Sequence, residues 1–289
     1  MPLYSSLSYN IEQDLDIEEV KGIQFSILSP NEILKRSVCE ITKTDTYSAN
    51  EPVINGLFDI RMGVLALDRL CGTCGLKASL CPNHMGHIKL ETPLYHAMFF
   101  DITKKLLKCV CFHCSKLFVT KETTNQNYKD EITKILNIKN NQKRFDAYVK
   151  FVSNIPSKVK IEQGCGFDGC LGCGNSLHYN VKKDTIKLKL EYGDGEDGEK
   201  YEMDILPEQV LKIFKRLSDK DIELLGFNSI WSRPEWLIST ILPVCPPAVR
   251  PSVIEESGQR REDDLTHKLC DIVKHNLLYK EKKNKKCIS

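Results

Sequence analysis

The sequence predicts an α+β fold, in which helices mix with short antiparallel strands around clustered cysteines. Apolar residues recur at helical spacing in several separate stretches, some of them opened by a capping residue or a proline. Residues 176–205 instead read as strands, with KLKLEY and KYEMDIL flanking the acidic, glycine-rich GDGEDGE. Thirteen cysteines in 289 residues are odd in number and grouped in CxxC spacings.

Residues 1–22 are acidic and polar and are expected to form a flexible lead-in. Ser29, Pro30 and Glu32 then suit the N-cap, first and third positions of a helix, a capping box. Ile33, Leu34, Val38 and Ile41 fall on one side of it. Asn50, Pro52 and Gly56 mark residues 42–58 as loop. The spacing predicts a helix over 92–108, whose late lysines suit the helix dipole. Residues 127–153 carry another helical stretch or two. GDGEDGE is expected as a solvated hairpin tip, because it lacks the ligand spacing of a calcium loop. Pro207 opens the helix PEQVLKIFKRL, and Ser218 caps a shorter one that stops at Gly226. Residues 227–252 are rich in proline and aromatics. A last helix, DDLTHKLCDIVKHNLLY, precedes a basic tail over 280–289 with five lysines between 280 and 286.

Composition narrows the function classes. With 41% apolar and 28% charged residues, the chain suits a packed core rather than wholesale disorder. Forty-one basic residues against 39 acidic ones leave a net charge of +2, which argues against a polybasic protein. No uninterrupted apolar run exceeds four residues, so no membrane span is expected. The acidic start lacks the apolar core of a signal peptide, and a reducing, intracellular setting is expected. There, paired cysteine spacings read as metal sites before disulfides.

Cys71-x2-Cys74-x6-Cys81-x2-His84 supplies two short-spaced ligand pairs that can close a tetrahedron around one ion. Sulfur and imidazole in that pattern select zinc, and four protein ligands leave no open position, so the site is expected to be structural. His87 competes as fourth ligand at a longer spacing. Cys111-x2-Cys114 and Cys170-x2-Cys173 form a second set with zinc-ribbon spacing, separated by a long insertion. Cys109 and Cys165 are left over, and either can replace a neighbour. Cys39, Cys245, Cys270 and Cys287 are isolated and read as small core or surface thiols. His113 reads as a neighbour of the metal or an exposed residue, and His96, His178, His267 and His275 as core or surface.

No phosphate-cradling GxxxxGK[ST] or GxGxxG, no GxSxG elbow, no HExxH and no Asp-x-Asp-x-Asp string occurs. By its motifs the chain is a zinc-stabilised scaffold rather than a self-contained enzyme.

Seven strings, in order, resemble the N-terminal part of the largest subunit of multisubunit DNA-directed RNA polymerases, of the RNA polymerase II type. They are QFSILSPNEILKRSV, GLFDIRMG, CGTCGLKASLCPNHMGHIKLETPLYH, KCVCFHCSKL, LPEQVLKIFKRLSDKDIELLGFN, RPEWLISTILPVCPPAVRPSV and DDLTHKLCDIVKHN. Ile60 stands where the family usually has Pro, and Met62 where it has Leu. The resemblance implies a mobile clamp that holds DNA and RNA–DNA hybrid during DNA-templated RNA synthesis. Residues 23–90 would be clamp core with the first zinc site (Cys71, Cys74, Cys81 and His84). Residues 91–205 would be clamp head with the second (Cys111, Cys114, Cys170 and Cys173). Residues 206–279 would return to the clamp core. The implied cofactors are two zinc ions; magnesium would sit only in the catalytic part beyond this chain, since NADFDGD is missing here. The reaction would therefore belong to the assembled polymerase. The implied partners are the other polymerase subunits, the DNA template and the hybrid, with no membrane. Localisation would be the nucleus for a cellular source, or a viral factory or virion for a large DNA virus. The basic tail departs from the family's continuation and is expected to mark a truncated or interrupted gene.

Arg233, Arg250, Arg260 and Arg261 lie in the return segment and are expected to contact phosphates rather than bases. The competing reading pairs them with Glu235, Glu255, Glu256 or Glu262. Trp231 and Trp236 are expected in the core. A rival class is a standalone zinc-ribbon transcription factor that binds nucleic acid or a polymerase. A RING-type ligase fails on ligand spacing.

Overall fold

A computed structural model describes residues 21–23, 25–49, 51–112, 114–120, 126–154, 178–193, 201–254 and 260–286. The first described helix, α1 (Pro30–Arg36), opens on the expected capping box: Ser29 Oγ accepts from the Glu32 amide at 3.1 Å, and Glu32 Oε2 from the Ser29 amide at 2.8 Å. Its C-cap Ser37 leads directly into β1 (Ser37–Glu40), which pairs in parallel with β4 (Met85–Tyr95). In turn β4 pairs antiparallel with β8 (Ile238–Val244). The parallel pair departs from the expected all-antiparallel pattern. Parallel strands need a long crossover, and residues 41–84 supply it. That crossover holds the small hairpin of β2 (Tyr47–Ser48) and β3 (Glu51–Pro52), a 3₁₀ turn at Ile60–Met62, and the first cysteine group.

Residues 92–108 correct the expected helix. Thr92–Tyr95 end β4, and the helix itself, α2, runs only over Phe100–Leu107 after a 3₁₀ turn at Ala97–Phe99. The β4–β8 register is broken between Lys89 and Leu94, and Pro93, which has no N–H to give a ladder, falls in that gap. Asn276 bridges the broken edge, accepting from the Glu91 amide at 2.9 Å and donating to the Lys89 carbonyl at 2.8 Å.

Two helices, α3 (Gln126–Leu136) and α4 (Asn141–Asn154), fill the predicted helical stretch. The strands β5 (His178–Asp184), β6 (Lys187–Gly193) and β7 (Tyr201–Ile205) form an antiparallel meander. Most of GDGEDGE lies outside the described residues. Next come α5 (Pro207–Lys215) and α6 (Asp219–Leu224), the latter capped by Ser218 Oγ. Gly226 follows at φ +85°, and a Cβ there would meet the Asn141 carbonyl oxygen at 2.5 Å. After β8, a short pair of β9 (Val253–Ile254) and β10 (Arg260–Arg261) precedes α7 (Asp264–Lys286). The last helix therefore runs through the lysines expected as a tail. Among the described residues, no helix is long and apolar enough to cross a membrane.

Two apolar clusters organise these elements into a mixed helix-and-sheet fold. The larger draws on α2 to α6, the meander and Leu237 and Ile238. The smaller joins Cys39, Ile41, Leu57, Phe58, Met62, Ile88, Val244 and Val273. The crossover that carries the cysteine loops is rooted in the smaller cluster through Leu57, Phe58 and Met62.

Candidate metal centre

Cys71 and Cys81 are buried, Cys74 and His84 half-buried, and one ligand atom from each lies within 4.8 Å of all the others. Zinc with sulfur at about 2.3 Å in a tetrahedron sets its sulfurs about 3.8 Å apart. Cys74 Sγ and Cys81 Sγ stand 3.5 Å apart, far longer than a disulfide bond of about 2.05 Å. Among the described residues, buried His84 Nε2 has no hydrogen-bond partner, which costs free energy that a bound cation would relieve. The cluster can therefore hold a metal ion. Without a cation the thiols resist ionising together: burial pushes Cys81 up to about 11. Burial acts the same way on Cys71, but the Cys74 and Thr73 amides hold that thiol below its ordinary value.

The turns that present these ligands aim backbone N–H groups at sulfur. Thr73 N–H points at Cys71 Sγ and Asn83 N–H at Cys81 Sγ, each at 3.4 Å. The first turn closes through Cys71 N–H to the Leu76 carbonyl and Gly75 N–H to the Cys71 carbonyl, both 2.9 Å. It needs Gly75 at φ +68°, where glycine has no steric cost.

The turn at Cys111 and Cys114 closes through the same two backbone hydrogen bonds. Cys111 N–H donates to the Lys116 carbonyl and Ser115 N–H to the Cys111 carbonyl, both at 2.9 Å. Ser115 takes the place of Gly75, at φ +62°. An isolated bridge closes each turn, Leu70 with Lys77 and Val110 with Leu117. Cys165, Cys170, Cys173 and His113 lie outside the described residues. Cys109 is buried in the larger cluster, its Sγ 3.4 Å from the Lys105 carbonyl.

His87 sits apart from the thiol cluster. Its Nδ1 is 2.7 Å from Ser37 Oγ, and burial lowers its pKa. Cys39 is buried, and burial pushes its thiol up to about 11. Cys245 and Cys270 are half-buried, and Cys287 lies outside the described residues.

The arginines divide. Arg250 is a correction: at 0% exposure it is sealed inside, donating to the Leu57 and Cys245 carbonyls and to Thr266 Oγ1. A phosphate cannot reach it. Arg233 forms ion pairs with Asp219 at 2.8 Å and Glu235 at 2.5 Å. Arg260 lies 3.7 Å over the Tyr47 ring and donates to Ser252 Oγ, while Arg261 is exposed. Trp231 is also a correction, being 47% exposed rather than in the core. Trp236 is half-buried.

Sequence reasoning missed Asp59. Its carboxylate is buried and accepts from the Asn55 and Arg61 amides and from the Arg61 guanidinium. The signal was present in FDIR, an Asp capping a turn with Arg two residues on.

Fold and site together define a mixed helix-and-sheet chain built around a closed Cys/His cluster. Residues 17–288 match the model of the family described as RNA polymerase Rpb1, domain 1, and the chain belongs to that family, the N-terminal part of the largest RNA polymerase subunit. It is 35% identical over 268 residues to "DNA-directed RNA polymerase II subunit RPB1" of Euplotoides octocarinatus, covering 92% of this chain and 54% of that protein. It is 37% identical over 263 residues to "DNA-directed RNA polymerase subunit Rpo1N" of Thermococcus celer, covering 90% of this chain and 28% of that protein. The chain thus spans about half the length of the first relative and 28% of the second.

Proposed function

We propose that this chain forms the clamp of a DNA-directed RNA polymerase and holds two structural zinc ions. What supports this most is a family match over nearly the whole chain together with a closed Cys/His cluster. Zinc held by Cys71, Cys74, Cys81 and His84 would cross-link the crossover and leave no open position for chemistry. The second ion would be held by Cys111, Cys114, Cys170 and Cys173. The support is that the Cys111 turn repeats the hydrogen bonds of the Cys71 turn. Residues 23–90 and 206–279 are assigned to the clamp core, and 91–205 to the clamp head.

The chain's own contribution is to grip the DNA template and RNA–DNA hybrid without reading sequence. Arg260 and Arg261 are the arginines suited to phosphate contacts, which are indifferent to base identity and weaken with salt. Nucleotidyl transfer and its magnesium belong to the rest of the assembled polymerase, with its other subunits. The setting is the nucleus of a cellular source, or the factory or virion of a large DNA virus.

The test is to purify RNA polymerase from the source, map it by peptide mass spectrometry and count its zinc. Peptides from residues 23–276 in the polymerase, with Cys74→Ser and Cys114→Ser each removing one zinc, support the assignment. The same peptides in a chain that leaves the polymerase on purification favour a standalone zinc-ribbon factor. A zinc count unmoved by Cys114→Ser overturns the second site.

A further inference from the structure

The metal ligands lie in two turns joined by a short exposed loop, across which Cys81 N–H donates to the Lys77 carbonyl at 2.9 Å. Neither turn alone fixes where the other sits. The 3₁₀ turn Ile60–Met62 does so with three successive carbonyls. Ile60 accepts from Gly72 N–H at 3.0 Å, Arg61 from Thr73 Oγ1 at 2.6 Å, and Met62 from His84 N–H at 3.0 Å. Two of these anchor the Cys71–Cys74 turn and the third anchors the turn of Cys81 and His84. Close packing reinforces them. A Cβ at Gly72 would stand 3.3 Å from Arg61 Cγ, and one at Gly63 would strike Asn83 Oδ1 at 2.6 Å.

The turn is itself clamped from the opposite side. Asp59 Oδ1 accepts from the Arg61 amide (3.0 Å) and Nε (2.9 Å), and Oδ2 from the Asn55 amide (2.6 Å) and Arg61 Nη2 (2.7 Å). Arg61 Nη2 also reaches Asn55 Oδ1 at 2.7 Å. The Asp59 side chain has no exposure, whereas Arg61 keeps 37%. A buried carboxylate with four donors is rigid in a way that a solvated pair is not.

We infer that the Asp59–Arg61 clamp and the Thr73 hydroxyl are positioning groups for the metal. They hold the two ligand pairs at the separation a single ion needs, and so set how long the ion stays bound. None of them touches the ion. The inference rests on the metal reading of Cys71, Cys74, Cys81 and His84, and it deepens that reading by assigning groups outside the ligand set. Groups that orient metal ligands commonly change affinity by about 10- to 100-fold.

The test uses the full 289-residue chain, loaded with zinc and then challenged with excess chromogenic chelator, alongside samples loaded with Co²⁺. Thr73→Val removes the hydroxyl that bonds the Arg61 carbonyl, and Thr73→Ser keeps it. Asp59→Asn weakens the clamp at constant shape. Thr73→Val and Asp59→Asn are expected to release one zinc equivalent about tenfold faster, with an altered Co²⁺–thiolate absorption spectrum, while Thr73→Ser behaves as wild type. Should Asp59→Asn fail to fold, Thr73→Val decides alone, since its side chain is exposed. Unchanged release and an unchanged Co²⁺ spectrum in Thr73→Val overturn the inference, whatever happens to the melting temperature. A wild-type chain that takes up neither zinc nor Co²⁺ overturns instead the metal reading beneath it.

Discussion

A guanidinium sealed from water has to find its hydrogen bonds inside the protein. Arg250 finds them on three segments: the Leu57 carbonyl of the crossover, the Cys245 carbonyl just past β8, and Thr266 Oγ1 at the start of α7. Its charge also faces the Phe58 ring, 5.1 Å away. Burial lowers its pKa, and the nearby Cys245 only partly offsets this. Arg250→Met would take the donor from the buried Leu57 carbonyl and from the part-buried Cys245 carbonyl, at about 1–3 kcal/mol for each one left unpaired. A loss of about 3 kcal/mol in urea unfolding is expected, with no change in the salt-dependent affinity for nucleic acid. A drop in affinity at unchanged stability would put Arg250 back among the phosphate contacts. Sequence could not separate these outcomes. Pro246, Pro247 and Pro251 restrict the backbone around Arg250, but a proline-flanked arginine looks the same whether it faces a cleft or a core. The ligand group was more legible, because short spacing alone brings Cys71 near Cys74 and Cys81 near His84. Asp59 was hidden, because what it organises lies a dozen residues further along the chain.

Among the elements, local chemistry was readable where it is satisfied locally. The capping box at Ser29, the cap at Ser218 and the left-handed Gly226 each obey rules that span only a few residues. Residues 92–95 were misread because their apolar spacing suits a helix equally well. What decides them is the distant partner β8 and the Tyr95 hydroxyl, which donates to the Ile205 carbonyl at 2.7 Å. The lysines after residue 279 carry no apolar stripe, yet Lys and Glu carry α7 past the single Asn284, since long charged side chains keep helix propensity without packing. The paired cysteine turns give a sharper test. Gly75 and Ser115 occupy the same left-handed position, but Ser115 has a Cβ and a buried hydroxyl with no hydrogen-bond partner among the described residues. The left-handed conformation costs a non-glycine residue about 1–2 kcal/mol, and the unpaired hydroxyl adds to that. Ser115→Gly is therefore expected to raise unfolding free energy by about 1 kcal/mol after glycine's entropy cost. Thermal unfolding of the metal-loaded chain checks it. A lower melting temperature would mean that the Ser115 hydroxyl has a role that this geometry does not give it.

At the scale of the molecule, the β4–β8 ladder is the seam between the two apolar clusters. Ile88 and Val244 lie in the smaller cluster, Ile238 in the larger, and Tyr95 packs against the larger. Among the described residues, the crossover that carries the Cys71–His84 cluster is rooted in the smaller one through Leu57, Phe58 and Met62, and metal there would support that side of the seam. Structural zinc can contribute on the order of 10 kcal/mol to the fold it closes, comparable with the whole stability of a domain. Removing it should open the smaller cluster selectively, because local opening follows local contacts rather than the whole chain. Cys74→Ser, at a half-buried ligand, is the mildest way to do this. Hydrogen exchange should accelerate strongly in the amides of Leu57–Met62 and in β4 around Ile88. Val181, Leu188 and Leu190 of the meander, and Val210, Ile213 and Phe214 of α5, should stay protected, since they are buried in the larger cluster. Equal acceleration on both sides would show that the β4–β8 ladder couples the clusters into one cooperative unit. In that case the metal would stabilise the larger cluster as well, although none of the four ligands lies in it.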